Sequence, residues 1–231
     1  MVSSPYAINS EGVSVSDLRE VLRGLEVFSG ELPVFDTALL PADPQELFID
    51  WLLAAVRDGV REPHAMTVST IGADANPSAR VLILKNVDSD GWQFAALADS
   101  RKGLELAARP QAALTFYWPA LARQIRVRGS VAPAGAEDSA ADFLARSPGA
   151  RAEALIGRQS TPLADLASRD AAVRSAAERI ERDPGLVAPG WTLFTLRADE
   201  VEFWQGDRER RHTRVEYRRT DAGWERGLLW P

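Results

Sequence analysis

Cysteine is absent from the 231 residues. Without a thiol there is no disulfide, no thiolate metal ligand, no iron–sulfur cluster and no cysteine nucleophile, and such a chain fits the cytoplasm. Histidine is nearly as scarce, with 2 residues and no HExxH spacing, so no protein-held metal is expected. Positive charge is short as well: 27 Lys and Arg against 33 Asp and Glu leave a formal charge of −6. No overall basic field draws the chain to nucleic acid or to an acidic membrane surface. No apolar run nears the roughly 18 residues of a membrane span. Residues 1–10 lack the basic-then-apolar order of a secretory signal. GxGxxG and the Walker GxxxxGK pattern are missing, which removes the usual dinucleotide and nucleotide-phosphate signals. Ser160 has no elbow motif and no histidine near it, so nothing supports a Ser/His/Asp hydrolase.

What is present is ordinary for a globular chain. Hydrophobic residues make up 45% and charged residues 26%, and the length suffices for one sizeable domain or two small ones. Residues 1–12 are polar and unpatterned and read as a mobile tail. A short helix is expected from Ser14 or Ser16, with Leu18, Val21, Leu22 and Leu25 on one face; Ser29–Ala42 reads as an extended connector. Residues 1–40 thus form a partly flexible N-terminal arm ahead of a domain over 41–231. A firmer helix signal follows. Asp43 is an N-cap, Pro44 suits the first helical position and Glu46 completes a capping box. Leu47, Phe48, Trp51, Leu52 and Ala55 then mark one face up to Gly59.

After Gly59 the period becomes alternating. Met66–Ile71, Ala79–Val87, Trp92–Leu97, Ala113–Tyr117 and Arg123–Val131 are short β-rich runs, the first three separated by turn residues at 72–77 and 88–91. From Gln124 to Val131 alternation is strict: Gln124, Arg126, Arg128 and Ser130 face one way, Ile125, Val127, Gly129 and Val131 the other. Arg126 and Arg128 are expected to be solvated or paired across the sheet. Helices are expected at Arg101–Ala108, about Glu137–Ala145 and Leu163–Arg182. Three or four closing strands run through Trp191–Arg197, Val201–Trp204, Val215–Thr220 and Trp224–Leu229. Strands come in runs joined by tight turns, without a helix after each. The fold class is therefore mainly β with packed helices, α+β: an antiparallel sheet closing into a barrel with helices outside, rather than a doubly wound Rossmann sheet.

Two stretches point to an anionic aromatic ligand. Glu202-Phe-Trp-Gln-Gly206 runs into Arg210-Arg-His-Thr-Arg214, joining a stacking indole to guanidiniums that donate in a planar fork. Arg80 opens a run ending in Lys85, and Ser100-Arg101-Lys102-Gly103 starts a helix that Ser100 can cap. Cations at a helix N-terminus oppose the macrodipole, and a bound phosphate would relieve that conflict. The plainer alternatives are a hairpin with a charged tip and a solvated first helical turn. His64 reads as a loop residue without a catalytic role; Trp118, Trp191, Trp224 and Trp230 read as core or dimer interface.

These residues carry a resemblance. Arg80-Val-Leu-Ile-Leu-Lys85, Ser100-Arg-Lys102, Arg123-Gln124, Gln159-Ser160, Glu202-Phe-Trp-Gln-Gly206, Arg210-x-His212-x-Arg214 and the Trp-x-x-x-x-Leu-x-Pro ending together resemble the pyridoxamine 5′-phosphate oxidase family. The similarity runs from about Pro41 to Pro231. It implies a split β-barrel homodimer with FMN at the subunit interface. Carried over by position, the FMN set is Arg80, Val81, Leu82, Ile83, Lys85, Ala95, Ala96, Arg101, Lys102, Gln124, Gln159, Ser160, Trp204 and Arg214. Ala95-Ala96 stand where the family commonly has an aromatic residue and a Thr, so only main-chain contacts would persist there.

The substrate side departs further. By the resemblance, a phosphorylated substrate is held by a Lys, a Tyr, an Arg and a Ser. These positions fall on Lys85, Asp142, Arg146 and Ala150. Two lost donors would cost about 1 kcal/mol each. A carboxylate about 4 Å from a phosphate would repel it by up to about 4 kcal/mol at an effective dielectric near 20. With Gly59-Val-Arg-Glu-Pro63, the pattern resembles the phenazine-biosynthesis branch of the family. The implied reaction is hydride transfer from a dihydrophenazine-type substrate to FMN and then to O₂. Lys85, Asp142, Arg146, Arg210 and His212 would be substrate-binding, with Arg210 and His212 nearest the chemistry. The alternatives are a pyridoxine/pyridoxamine 5′-phosphate oxidase making pyridoxal 5′-phosphate, and a non-catalytic flavin- or heme-binding split-barrel protein.

Overall fold

A computed structural model describes residues 15–231 of the chain. Helix α1 spans Val15–Gly24, in the region where a helix was expected. The apolar face read from the sequence finds no cover among the described residues: Leu18, Val21, Leu22 and Leu25 are more than half exposed. Residues 1–12, read as a tail, lie outside the described residues. The connector is extended apart from one 3-10 turn at Thr37–Leu39, capped by Asp36. Helix α2 spans Pro44–Arg57, and Asp43 caps it by accepting from the Gln45 N–H at 2.8 Å. It buries Leu47, Phe48, Trp51 and Ala55, and the Phe48 ring meets Trp92 and Phe116 edge-on.

Among the described residues nine strands make one sheet: β1 Ala65–Ile71, β2 Pro77–Ile83, β3 Asn86–Asp88, β4 Gly91–Leu97, β5 Gln111–Trp118, β6 Arg123–Pro133, β7 Trp191–Gln205, β8 Thr213–Thr220 and β9 Gly223–Leu229. The path runs β2-β1-β5-β6-β7-β4-β3, antiparallel throughout, with β8 and β9 branching from β7. Its two ends, β2 and β3, follow each other in the chain through Leu84 and Lys85, so the path curls back on itself. The interior is apolar, with Met66, Val68, Phe94, Leu114, Phe116, Ile125, Val127, Leu196 and Phe203 buried.

Four expectations are corrected. Ala79–Val87 is two strands, because the chain changes partners at the bend: Leu84 N donates to His64 O and Lys85 N to Gln93 O. Trp191–Arg197 and Val201–Trp204 are one strand of 15 residues; its first half pairs with β4 and its second with β8. The last long helix, α6, begins at Leu166 rather than Leu163, since Asp165 accepts from the Ser168 N–H and caps it there. Helix α5, Pro148–Leu155, was not expected although Ser147 caps it and Pro148 opens it. The remaining helices are α3, Arg101–Ala108, and α4, Ala136–Leu144. Residues of α4, α5 and α6 build a second small core around Phe143, Leu155 and Ile180. Among the tryptophans, Trp118 is buried while Trp230 is 92% exposed.

Candidate functional site

The first cluster lies where α3 meets the β1–β2 edge. Ser100 caps α3, its Oγ accepting from the Gly103 N–H at 3.3 Å and from Lys102 Nζ at 3.2 Å. Lys102 also donates to Gln159 Oε1 at 2.6 Å, drawing the 157–161 loop onto the helix start. Arg80 reaches in from β2 and donates to Glu105 Oε2 at 3.0 Å, while Arg101 donates from Nε to Glu105 Oε1 at 3.1 Å. Burial pushes the Lys102 ammonium below the ordinary lysine range and repulsion from Arg80 adds to it, with Glu105 opposing. Burial raises the Glu105 carboxyl, but bonds from Thr70, Arg80 and Arg101 outweigh it and hold the group below its usual value. A cavity of about 580 Å³ opens here, lined by Arg101, Glu105, Gln159, Ser160 and Thr161 among others. Ser160 sits at φ +71°, a turn conformation that places this loop at the cavity rim.

The second cluster is a row across three strands. Gln124 on β6 is opposite Trp204 on β7, and Trp204 is opposite Arg214 on β8. At strand spacing this row covers roughly 10 Å. Arg214 is clamped by both oxygens of buried Glu202, at 3.0 Å each, and this bonding raises its pKa further. The Trp204 ring lies 5.0 Å from His212, and Phe28 of the arm packs on both at 5.8 and 5.7 Å. His212 Nδ1 accepts from the Asp207 N–H at 3.0 Å, which places the proton of the neutral ring on Nε2. Arg208 fastens the arm by donating to Phe28 O and Gly30 O. Arg210 is exposed, at φ +65° in the turn closed by its own N–H to Asp207 O. Below this loop Arg123 lies 4.0 Å over the Trp51 ring and donates to Gln205, which in turn donates to Leu121 O. Burial lowers the Arg123 pKa to about 10, so it stays a cation at neutral pH.

The third cluster lies between β4, β7 and α4. Lys85 Nζ is 3.2 Å from Asp142 Oδ1, and Asp142 Oδ2 accepts from Trp191 Nε1 at 2.9 Å. Arg146 stacks on the same indole at 4.1 Å, its pKa lowered by burial against the pull of Asp142 and Glu153. A cavity of about 490 Å³ is lined by Lys85, Asp90, Gln93, Asp138, Asp142, Thr195 and Arg197 among others. Its carboxylates outnumber its cations.

Comparison with known proteins shows the family. The family model described as pyridoxamine 5′-phosphate oxidase matches residues 52–205, and the pyridoxine 5′-phosphate oxidase C-terminal dimerisation region matches 191–231. The chain belongs to the pyridoxamine 5′-phosphate oxidase family. It is 39% identical over 200 residues to the pyridoxine/pyridoxamine 5′-phosphate oxidase of Hyphomonas neptunium, covering 85% of this chain and 91% of that one. It is 37% identical to the enzyme of that name from Herminiimonas arsenicoxydans, covering 95% of this chain and 100% of that one. Among solved structures it is similar to PhzG from Burkholderia lata in complex with tetrahydrophenazine-1-carboxylic acid. That match has a TM-score of 0.79 and 29% identity, and covers 87% of this chain and 100% of that one.

Set against the family's expected flavin set, Arg80, Arg101, Lys102, Gln159 and Ser160 come together in the first cluster. Gln124, Trp204 and Arg214 come together in the second, beside His212. Lys85, Asp142 and Arg146 form the third, and within one chain the three remain separate groups. Val81 and Ile83 point out from β2, 65% and 40% exposed, on the opposite face from half-buried Leu82. Ala96 is buried in the core and Ala95 half-buried on β4, which leaves their main chain for any contact. The residue types of the first cluster fit a flavin phosphate: Arg80 and Arg101 are paired through Glu105, Lys102 is repelled by Arg80, and Asp74 and Asp99 also stand on the cavity wall. The sequence reading missed Glu105, Thr70, Glu202 and Phe28. The Arg101–Glu105 spacing of four on a helix was a usable signal. Glu202 needed the β6–β7–β8 register, and Phe28 gave no local sign.

Proposed function

We propose that this chain is an FMN-dependent oxidase acting on a flat, reduced, non-phosphorylated heteroaromatic of the dihydrophenazine type, as a homodimer with shared flavin sites. Arg80, Arg101, Lys102, Gln159 and Ser160 would hold the flavin phosphate. Gln124, Trp204, Arg214 and the backbone of residues 81–83 would hold the ring. Bound FMN supplies the two-electron acceptor and its reoxidation by O₂. The chain's own part is positioning. The neutral His212 offers Nε2–H as a donor, and Arg210 stands in the same loop as a cation for a substrate carboxylate. The exposed apolar positions Val81, Ile83 and Tyr117 support a second protomer over this face of the sheet.

The observation that carries the substrate class is the Lys85–Asp142 pair at 3.2 Å. The lysine that the resemblance assigns to a substrate phosphate already has a carboxylate partner, and that carboxylate is fixed from its other side by Trp191. A phosphate there would have to displace or face Asp142. The PhzG relative bound to a tetrahydrophenazine carboxylic acid supports the same class. A second reading, a pyridoxine/pyridoxamine 5′-phosphate oxidase, is favoured by the names of relatives at 37–40% identity. Steady-state oxygen consumption on a dihydrophenazine carboxylate and on pyridoxine 5′-phosphate separates the two. Turnover of the phenazine alone is expected; efficient pyridoxal 5′-phosphate formation would replace the first reading with the second.

A further inference from the structure

Glu105 is the one carboxylate that spans the cations of the first cluster. Its side chain is 7% exposed, and its two oxygens are divided between two arginines: Oε2 takes Arg80 at 3.0 Å and Oε1 takes Arg101 at 3.1 Å. Thr70 Oγ1 donates to Oε2 at 2.5 Å and itself accepts from Arg80 Nη1. The two arginines differ in how much else restrains them. Arg80 also donates to Ser78 Oγ at 2.6 Å and to the carbonyls of Val68 and Ser78, so most of its fork is used inside the protein. Arg101 is 70% exposed and is tethered through Nε to Glu105, which among the described residues leaves both of its terminal nitrogens for a ligand. An exposed arginine without that tether spreads over many rotamers and would have to be ordered again on binding.

The pairing also bears on charge: Glu105 is ion-paired with both arginines, and Asp74 and Asp99 line the same cavity. Without Glu105 three cations would crowd one helix start, and the buried ammonium of Lys102 would lose the anion that supports its charge.

We propose that Glu105 is a positioning residue for the phosphate of the flavin: it holds Arg101 with its terminal nitrogens presented to the cavity. This rests on the flavin reading above. The test compares FMN with riboflavin, which differ only by the phosphate, through flavin fluorescence titration of the full-length protein and of Glu105→Gln. Wild type is expected to prefer FMN strongly. Glu105→Gln is expected to bind FMN at least tenfold more weakly and riboflavin within twofold of wild type, and a preference for FMN that is equal or greater in the variant overturns the assignment alone. A merely structural role would weaken both ligands together, which also overturns it. If wild type takes up neither flavin, the flavin reading and this assignment fall together. Should Glu105→Gln not fold, Thr70→Val, which removes one bond to the carboxylate and one from Arg80 but no charge, carries the same comparison with the same expected fall in FMN preference.

Discussion

Lys102 is a buried ammonium placed beside another cation, and both circumstances favour its neutral form. A phosphate beside it would favour the charged form. FMN affinity is therefore expected to be level near neutral pH and to fall as pH rises through the depressed lysine pKa, below the ordinary value of about 10.4. Lys102→Met should bind FMN more weakly at neutral pH and lose that alkaline fall. Folding has the opposite sign for this group: across the same window Lys102 binds more protons in the unfolded chain than in the folded one, so its contribution to the stability of the unliganded protein grows as pH rises, while Tyr217, raised by burial, contributes in the other direction. Denaturant melts at a series of alkaline pH values check this. Asp142 makes a separate prediction. Asp142→Asn keeps the shape and the Trp191 contact but frees Lys85, so KM for pyridoxine 5′-phosphate is expected to fall about tenfold, in line with part of a like-charge repulsion of up to about 4 kcal/mol. An unchanged KM would mean that the Lys85–Asp142 pair does not set substrate class. At this scale the sequence was most legible where chemistry is local. Arg80, Lys102 and Ser160 stood out as residue types, whereas Glu105 and Glu202 matter only through partners that the fold supplies.

Elements were legible in kind and less so in extent. The alternation of Gln124–Val131 predicts the observed strand faces, with Ile125 and Val127 buried and Arg126 and Arg128 paired to Glu202 and Glu200 at 2.7 Å. The split between β2 and β3 was not legible, because it depends on which strand receives each N–H and not on propensity. The same holds for the length of β7, whose two halves serve different partners. Gly129 sits at the irregularity where the β6–β7 register shifts, and a Cβ there would stand 1.9 Å from Arg197 O. Backbone cannot yield as a flexible side chain does, so Gly129→Ala is expected to cost at least the roughly 1–3 kcal/mol of an overpacked core. Differential scanning calorimetry should show a lower melting temperature, at roughly 2–4 °C per kcal/mol for a chain of this size. A melt equal to wild type would show that the strands part easily at that point.

At the scale of the whole molecule, two large exposed apolar side chains mark the end of the chain. Leu228 and Trp230 are 69% and 92% exposed, and they lie in the family's C-terminal dimerisation region. Trp230 O also accepts from Arg214 at 2.7 Å, tying the chain end to the Gln124–Trp204–Arg214 row. Trp230→Asp is expected to shift the protein toward monomer in light scattering and to weaken FMN uptake in parallel. Dimer loss without any change in FMN affinity would argue that each site is complete within one chain.

Because Tyr117, Gln124, Trp204 and Arg214 share one line across β5 to β8, strand mispairing carries a particular risk here. A slip of one residue between β6 and β7 would turn Gln124 or Trp204 inward and bring core residues out. If the chain binds FMN as proposed, such a misfolded species would have nearly the same secondary structure as the native one and yet be colourless. Retained yellow colour per mole of protein would then measure a folding fidelity that circular dichroism would miss.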